Sequence, residues 1–296
     1  MGIFFQPMVS PEESDITILG LPWDGTSSGR SGARFGPQAI RAATLCIEDY
    51  SPYQHLDISD VGLHDAGDIE LPFGDTASCL KCIREKYSEL MNNSGKIVVL
   101  GGEHLISWPL VELMHGRYDD SLFVIQIDAH ADLRETYLGV RYSHATVMHL
   151  ISETVGIQNT AVIGVRSGSK EEWKRLRSHP NFFHGCSGRT LDDFISFTRN
   201  ELKDKYVYVT LDLDVFDPGI FPGTGTPEPG GMTFQEFIRI LHSLSDTNII
   251  GADIVELSPD YDHSGSSQFL AGTVLREILL VMGDSAWKNH SKRSTS

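Results

Sequence analysis

Leu122-Phe-Val-Ile-Gln-Ile-Asp-Ala-His-Ala-Asp132 is the stretch that decides the fold of this chain. An apolar run broken only by Gln126 leads without a turn into Asp128, His130 and Asp132. Strands buried on both faces read this way, and parallel sheets are built from them. Two other runs end alike. Lys96-Ile-Val-Val-Leu100 is followed by Gly101-Gly-Glu-His104, and Tyr206-Val-Tyr-Val-Thr-Leu211 by Asp212-Leu-Asp214 and Asp217-Pro218. Further strand-like runs lie at residues 15–19, 160–163 and 249–255. Helical periodicity fills the intervals, at 38–45, 76–92, 107–114, 145–152, 170–177, 191–202, 233–244 and 268–282. Thr233-Phe-Gln-Glu236 has the spacing of a capping box. Alternation of strand and helix predicts an α/β fold, a single three-layer αβα domain on a doubly wound, mostly parallel sheet. No repeat or low-complexity linker interrupts the chain, so one domain is expected over residues 1–285, with a polar tail at 286–296.

In such sheets ligands bind beyond the carboxyl ends of the strands. The acidic and histidine residues above all follow their strands, so one edge of the sheet gathers them. If the strands continued, their period of two would put Asp128, His130 and Asp132 on one face, and Asp212 and Asp214 on one face. A lone Asp at a strand end is ordinarily a turn former or a cap. The repetition is what points to ligation. Two unit charges about 4 Å apart interact by roughly 4 kcal/mol at an effective dielectric near 20. Four crowded carboxylates, Asp128, Asp132, Asp212 and Asp214, must therefore take up protons or cations. Two divalent ions would balance them, with His104 and His130 as neutral ligands. A carboxylate-rich set with two imidazoles suits Mn(II), although affinity order alone favours zinc. Water held between two such ions has a lowered pKa, which makes hydrolysis the natural reaction.

Two more residues fit a hydrolase. His144, in Ser143-His-Ala-Thr146, is close enough in sequence to overhang the edge as a proton shuttle. Glu256 follows the 249–255 run, where a carboxylate could anchor a cation and would match a guanidinium bidentately.

Bulk properties narrow the field. The chain has 296 residues, 40% of them hydrophobic, and a net charge of -16, which argues against nucleic acid or an anionic membrane as partner. No secretory signal or membrane-spanning run is read, and a cytoplasmic protein is expected. Cys79 and Cys82 form a C-x-x-C inside a helical pattern and read as half-buried helix thiols rather than a redox or zinc pair. The segment from Gly25 to Gly32 lacks the spacing of a dinucleotide loop, and that from Pro222 to Gly231 lacks the ending of a P-loop; the latter reads as a rigid loop beside Asp212 and Asp214.

Taken together, Ser31-Gly-Ala-Arg-Phe-Gly-Pro37, Ala39-Ile-Arg41, Gly101-Gly-Glu-His104, Asp128-Ala-His-Ala-Asp132, Ser143-His144, Asp212-Leu-Asp-Val-Phe-Asp-Pro218, Pro222-Gly-Thr-Gly-Thr-Pro227 and Asp253-Ile-Val-Glu256 resemble, in order, the motifs of the ureohydrolase family of arginases and agmatinases. The resemblance implies an arginase/deacetylase-like αβα fold, two Mn(II) per subunit, and a homo-oligomer, trimer or hexamer. It implies one ion on His104, Asp128, Asp132 and Asp212, and the other on Asp128, His130, Asp212 and Asp214. Asp132 would also orient the bridging hydroxide, His144 would shuttle a proton, and Glu256 would bind the guanidinium of a small cationic substrate. Residues 133–142 contain no Asn and look like the corresponding loop of agmatinases, as do residues 48–53 and 102–109, so hydrolysis of agmatine to urea and putrescine is expected. Alternatives are action on arginine or on a guanidino acid such as 4-guanidinobutanoate, a deacetylase-like amidohydrolase, and a non-catalytic metal-stabilised scaffold. An acidic surround, with Glu135 a candidate member, would suit agmatine's cationic tail. Arg141 would favour a carboxylate tail if it pointed inward, and solvent is its expected direction.

Overall fold

Ten strands and eight α-helices alternate along the chain in the computed structural model, which describes Phe5 and residues 8–283. The polar tail expected at 286–296 lies outside the described residues. In chain order the strands are β1 (Ile16–Leu21), β2 (Tyr50–Ser51), β3 (Leu56–Asp57), β4 (Leu63–Asp68), β5 (Lys96–Gly101), β6 (Leu122–Ile127), β7 (Thr160–Ile163), β8 (Phe182–Phe183), β9 (Tyr206–Asp212) and β10 (Asn248–Val255). The helices are α1 (Gly36–Thr44), α2 (Thr76–Asn93), α3 (Ser107–Tyr118), α4 (Val147–Val155), α5 (Lys170–Arg177), α6 (Leu191–Glu201), α7 (Phe234–Leu244) and α8 (Ser266–Met282).

Eight strands form one sheet in the order β4-β1-β5-β10-β9-β6-β7-β8. Every pairing in it is parallel. Residues alternate between two apolar layers. Val98, Leu100, Ile125, Ile127, Val207, Val209 and Leu211 pack under α1, α6, α7 and α8. Ile97, Val99, Leu122, Val124, Val162 and Tyr208 pack under α2, α3, α4 and α5. The result is the three-layer αβα sandwich, and it explains why the central strands read as unbroken apolar runs.

Two departures from the sequence reading are local. The edge strand β4, Leu-His-Asp-Ala-Gly-Asp, carries polar residues because an edge is only partly covered. The β2–β3 hairpin and β8 span two residues per strand, too short for any periodicity. The capping box of α7 forms, with Glu236 N–H donating to Thr233 Oγ1 at 3.3 Å and Thr233 N–H to Glu236 Oε2 at 2.8 Å. Within α2, Cys79 is fully buried, donates its thiol to Pro72 O, and is pushed up to about 11 by burial, so it is an inert core thiol. Among the described residues no helix is long and apolar enough to cross a membrane.

The chain lays down β5, skips outward to β6, β7 and β8, and only then returns with β9 and β10 to fill the gap. The carboxyl ends of β5, β10, β9 and β6 therefore stand side by side at the point where the winding reverses, the place where open α/β sheets bind ligands.

Candidate metal centre and active site

Neither acidic strand end continues as a strand. β6 stops at Ile127, and Asp132 sits at φ 51, a left-handed conformation uncommon for a residue other than glycine. Its carbonyl accepts from Met148 and His149 N–H at the start of α4, which fixes the turn. β9 stops at Asp212, whose Oδ1 accepts from Asp214 N–H at 2.8 Å as the chain enters a 3-10 turn. Asp128, His130, Asp132, Asp212 and Asp214 thus converge by turning around strand ends and not by sharing a strand face.

His104 opens the turn after β5 and is fully buried. Its Nδ1 lies 3.2 Å from Asp128 Oδ2, 3.1 Å from Asp132 Oδ2 and 3.5 Å from Asp212 Oδ2. None of these contacts has hydrogen-bond geometry, and Nδ1 is a buried polar atom without a partner. Donors about 2.1 Å from a common ion and at right angles about it stand roughly 3 Å apart. The three distances from His104 Nδ1 have that spacing. A second group lies beside the first. His130 Nδ1 is 2.8 Å from Asp214 Oδ2 and 3.9 Å from Asp128 Oδ1. Asp128 belongs to both groups able to hold a metal ion. It is oriented by Gln126 Nε2, donating to Oδ2 at 2.7 Å, and by His130 N–H, donating to Oδ1 at 2.6 Å. Gln126, the one polar break in the β6 run, is thereby explained.

Titration reflects a surplus of negative charge. Burial and then Asp128 push Asp132 up to about 6. Burial first, and then Asp214 or Glu103, drive Asp212 and Glu256 well above the carboxylate range. Burial opposes charge on His130, but Asp214 and Asp128 outweigh it and raise the imidazole to about 11. Asp214 is correspondingly held near 2 despite its burial. Acids that cling to protons beside such basic imidazoles need cations. Orphaned Nδ1, donor spacing and charge all fit divalent metal.

Glu256 follows β10 at φ 65. Its N–H donates to Gly102 O, and its Oε1 accepts from His104 N–H, both at 2.9 Å. It faces a cavity of about 320 Å³ that is also lined by His130, Asp132, His144, Asp212 and Asp214. His144 Nε2 is 3.4 Å from Ser28 Oγ, and its ring meets Tyr137 edge-on. Burial, before any neighbouring charge, lowers the His144 imidazole to about 4 and leaves it neutral near pH 7.

Sequence reading passed over part of this wall. The 25–32 segment, set aside as no nucleotide loop, supplies Ser27, Ser28, Gly29 and Arg30 to the cavity. Its anchor is Glu103, fully buried, which accepts from Thr26 N–H at 2.8 Å, from the Thr26 hydroxyl and from Ser27 Oγ. Thr26 Oγ1 in turn accepts from His144 N–H at 3.1 Å. A charge inside Gly-Gly-Glu-His, next to a ligand candidate, was the available signal. The far wall includes Arg134, Tyr137, Ser169 and Glu172, while Arg141 and Glu135 are not among the lining residues. Arg141 is half-exposed and pairs with Glu153. The 222–231 loop is tied to the turn after Asp212: Arg166 donates to the carbonyls of Asp214, Val215 and Phe216 on one side and of Glu228 and Pro229 on the other.

A parallel αβα sheet bearing this His and Asp cluster at its switch point defines a metal-dependent hydrolase of the ureohydrolase class. The chain belongs to the arginase family, whose model matches residues 14–281. It is 40% identical over 281 residues to an agmatinase of Bacillus anthracis, covering 94% of this chain and 95% of that one. It is 40% identical over 271 residues to an agmatinase of Bacillus subtilis, covering 91% and 92%. The solved agmatine ureohydrolase of Thermoplasma volcanium superposes with a TM-score of 0.83 at 30% identity, covering 95% of this chain and 94% of that one.

Proposed function

We propose that this ureohydrolase is an agmatinase, which hydrolyses agmatine to urea and putrescine. The observation that carries the reading is the facing of Glu256 and the His/Asp cluster across one cavity, and the agmatinase relatives support it. In this reading His104, Asp128, Asp132 and Asp212 would hold one Mn(II), and Asp128, His130, Asp212 and Asp214 would hold the other. Two such ions would supply Lewis-acid charge and bring the pKa of water toward neutrality.

The chain's own groups do the rest. Glu256, buried and fixed by the His104 N–H, receives the planar guanidinium as a bidentate acceptor. A cation arriving there also offsets the burial, and after it the repulsion, that raise its pKa. Asp132 orients the attacking water toward the guanidinium carbon. The attacking water gives up a proton; when the tetrahedral intermediate collapses, the bond from carbon to the alkyl-bearing nitrogen breaks and that nitrogen takes the proton. Neutral His144 has one N–H and one lone pair, so it can relay that proton.

The tail wall favours an amine over a carboxylate. Arg141, the one residue whose inward turn would have argued for an acid, is paired outside. Arg30 is engaged with the carbonyls of Thr224 and Gly225, and Arg134 lies over Tyr137 and 3.4 Å from Glu172. A cytoplasmic homo-oligomer, trimer or hexamer, completes the proposal on the strength of the family resemblance. The test is urea release by Mn(II)-loaded protein from agmatine, L-arginine and 4-guanidinobutanoate. Agmatine should lead by at least about tenfold in kcat/KM, or about 1.4 kcal/mol. A lead for either carboxylate-bearing substrate overturns the agmatine assignment.

A further inference from the structure

Behind His104, on the side away from the cavity, lies a chain of buried polar groups. His104 Nε2 is 2.8 Å from Thr210 Oγ1, on β9. The Thr210 hydroxyl is 2.7 Å from Asp253 Oδ1, on β10. Asp253 Oδ2 accepts from the Tyr208 hydroxyl at 2.8 Å. His104, Thr210, Tyr208 and Asp253 are all sealed from solvent.

The direction of the chain follows from proton counting. A threonine hydroxyl has one proton, and a carboxylate only accepts. The charge-assisted bond to Asp253 is the stronger use of that proton, compared with Ser107 Oγ at 3.2 Å. Toward His104, Thr210 is then an acceptor, so Nε2 carries the imidazole proton. In the neutral imidazole Nδ1 is then a lone pair, aimed at Asp128, Asp132 and Asp212. A lone pair facing three carboxylate oxygens is repulsive unless a proton or a metal ion lies between them.

We propose that Thr210 and Asp253 are positioning residues that lock His104 in the Nε2-protonated tautomer and so commit its Nδ1 to the metal ion. They touch neither substrate nor metal. Asp212, at the end of β9, and Glu256, just after β10, face the site while Thr210 and Asp253 stand behind it, so in this reading the two central strands carry both a ligand and the device that orients another ligand. The inference rests on the metal-centre reading above, and outer partners of this kind change metal affinity by about 10–100-fold.

Thr210→Val removes the hydroxyl while keeping the shape, and Thr210→Ser restores it. The experiment loads each protein with Mn(II) and dialyses it against graded chelator. Retained metal is counted, the electron paramagnetic resonance spectrum is recorded, and thermal melting of the stripped proteins monitors the fold. Wild type should retain two ions. Thr210→Val should lose one of them at chelator concentrations about 10–100-fold lower, and its coupled-pair spectrum should give way to that of an isolated Mn(II). Thr210→Ser should behave as wild type. Asp253→Asn is the second variant: its amide can donate to Thr210, which frees the hydroxyl to point at Nε2 and favours the wrong tautomer. It should lose the same ion, and it decides the matter if Thr210→Val does not fold. Wild-type retention by both variants, or equal loss by Thr210→Ser and Thr210→Val, overturns the inference. Wild type that binds no Mn(II) overturns the metal-centre reading and this inference with it.

Discussion

The carboxylate of Glu256 is hydrogen-bonded to the backbone N–H of His104, Oε1 to N at 2.9 Å, across the junction of β5 and β10. One side chain lines the cavity and the other faces the aspartate cluster, and the bond makes their spacing a property of the sheet. Glu256 also sits at φ 65, which orients its side chain over the cavity instead of along β10.

Glu256→Gln keeps the shape and the bond from His104 N–H but removes the charge. Loss of a buried partner for a guanidinium costs about 3–5 kcal/mol, so kcat/KM for agmatine should fall about 10²–10³-fold or more. Bound Mn(II) and the melting temperature should change little. Steady-state kinetics beside a metal count tests this, and an activity within tenfold of wild type would remove Glu256 from substrate binding.

Metal should stabilise the fold, because the cluster gathers Asp128, Asp132, Asp212 and Asp214 against only two imidazoles, His104 and His130. At 100 times its dissociation constant, each ion contributes about 2.7 kcal/mol. Chelated protein should therefore melt several degrees lower, and Mn(II) should restore the transition in a concentration-dependent way. Identical melting curves with and without Mn(II) would contradict the assignment of the cluster.

Arg141→Ala should leave specificity unchanged. The side chain is half-exposed and pairs with Glu153, an exposed contact typically worth under about 1 kcal/mol. Agmatine kcat/KM should stay within about twofold, and the ratio to 4-guanidinobutanoate should not move. A shift in that ratio of tenfold would mean that the guanidinium reaches the substrate tail.

His179 supplies an acid-sensitive element remote from the site. It is buried, Nδ1 accepts from Asn181 N–H at 3.1 Å, and desolvation lowers its pKa to about 4. The unfolded chain binds this proton below about pH 6.5, but the native one only below about 4. Between those limits the unfolded state holds more protons, so stability falls as pH falls, by up to about 1.4 kcal/mol per unit. His179→Asn keeps an acceptor without the titration. Denaturant melts from pH 7 to 4 should show the wild-type stability dropping more steeply than that of the variant.

Much of this was legible in the chain. β6, β7 and α5 fall at the residues that periodicity assigns, because strands and helices buried against two layers carry strong patterns. β4 was not legible, since Asp65 and Asp68 on it are ion-pair partners of Arg41 and not core residues. At the site, the residue types were readable but their convergence was not: it depends on the left-handed turn at Asp132 and the Asx-like turn at Asp212. Thr26 and the 25–32 wall act through contacts distant in sequence, of which local patterns give no sign beyond the charge of Glu103 inside Gly-Gly-Glu-His. Nor did the sequence reveal where Arg141 points, because long charged side chains turn wherever a partner lies.

The order of strands imposes a timetable on synthesis. Seen from the ribosome, His104, Asp128, His130 and Asp132 emerge with β5 and β6, whose facing edges stay unpaired until β9 and β10 arrive more than 70 residues after Asp132. Before then the nascent chain exposes two apolar parallel edges and half a cation trap, a state open to mispairing. The last two of these strands close the sheet, β9 bringing Asp212 and Asp214 and β10 bringing Glu256. The strands that cover the exposed edges are therefore also the ones that complete the candidate site.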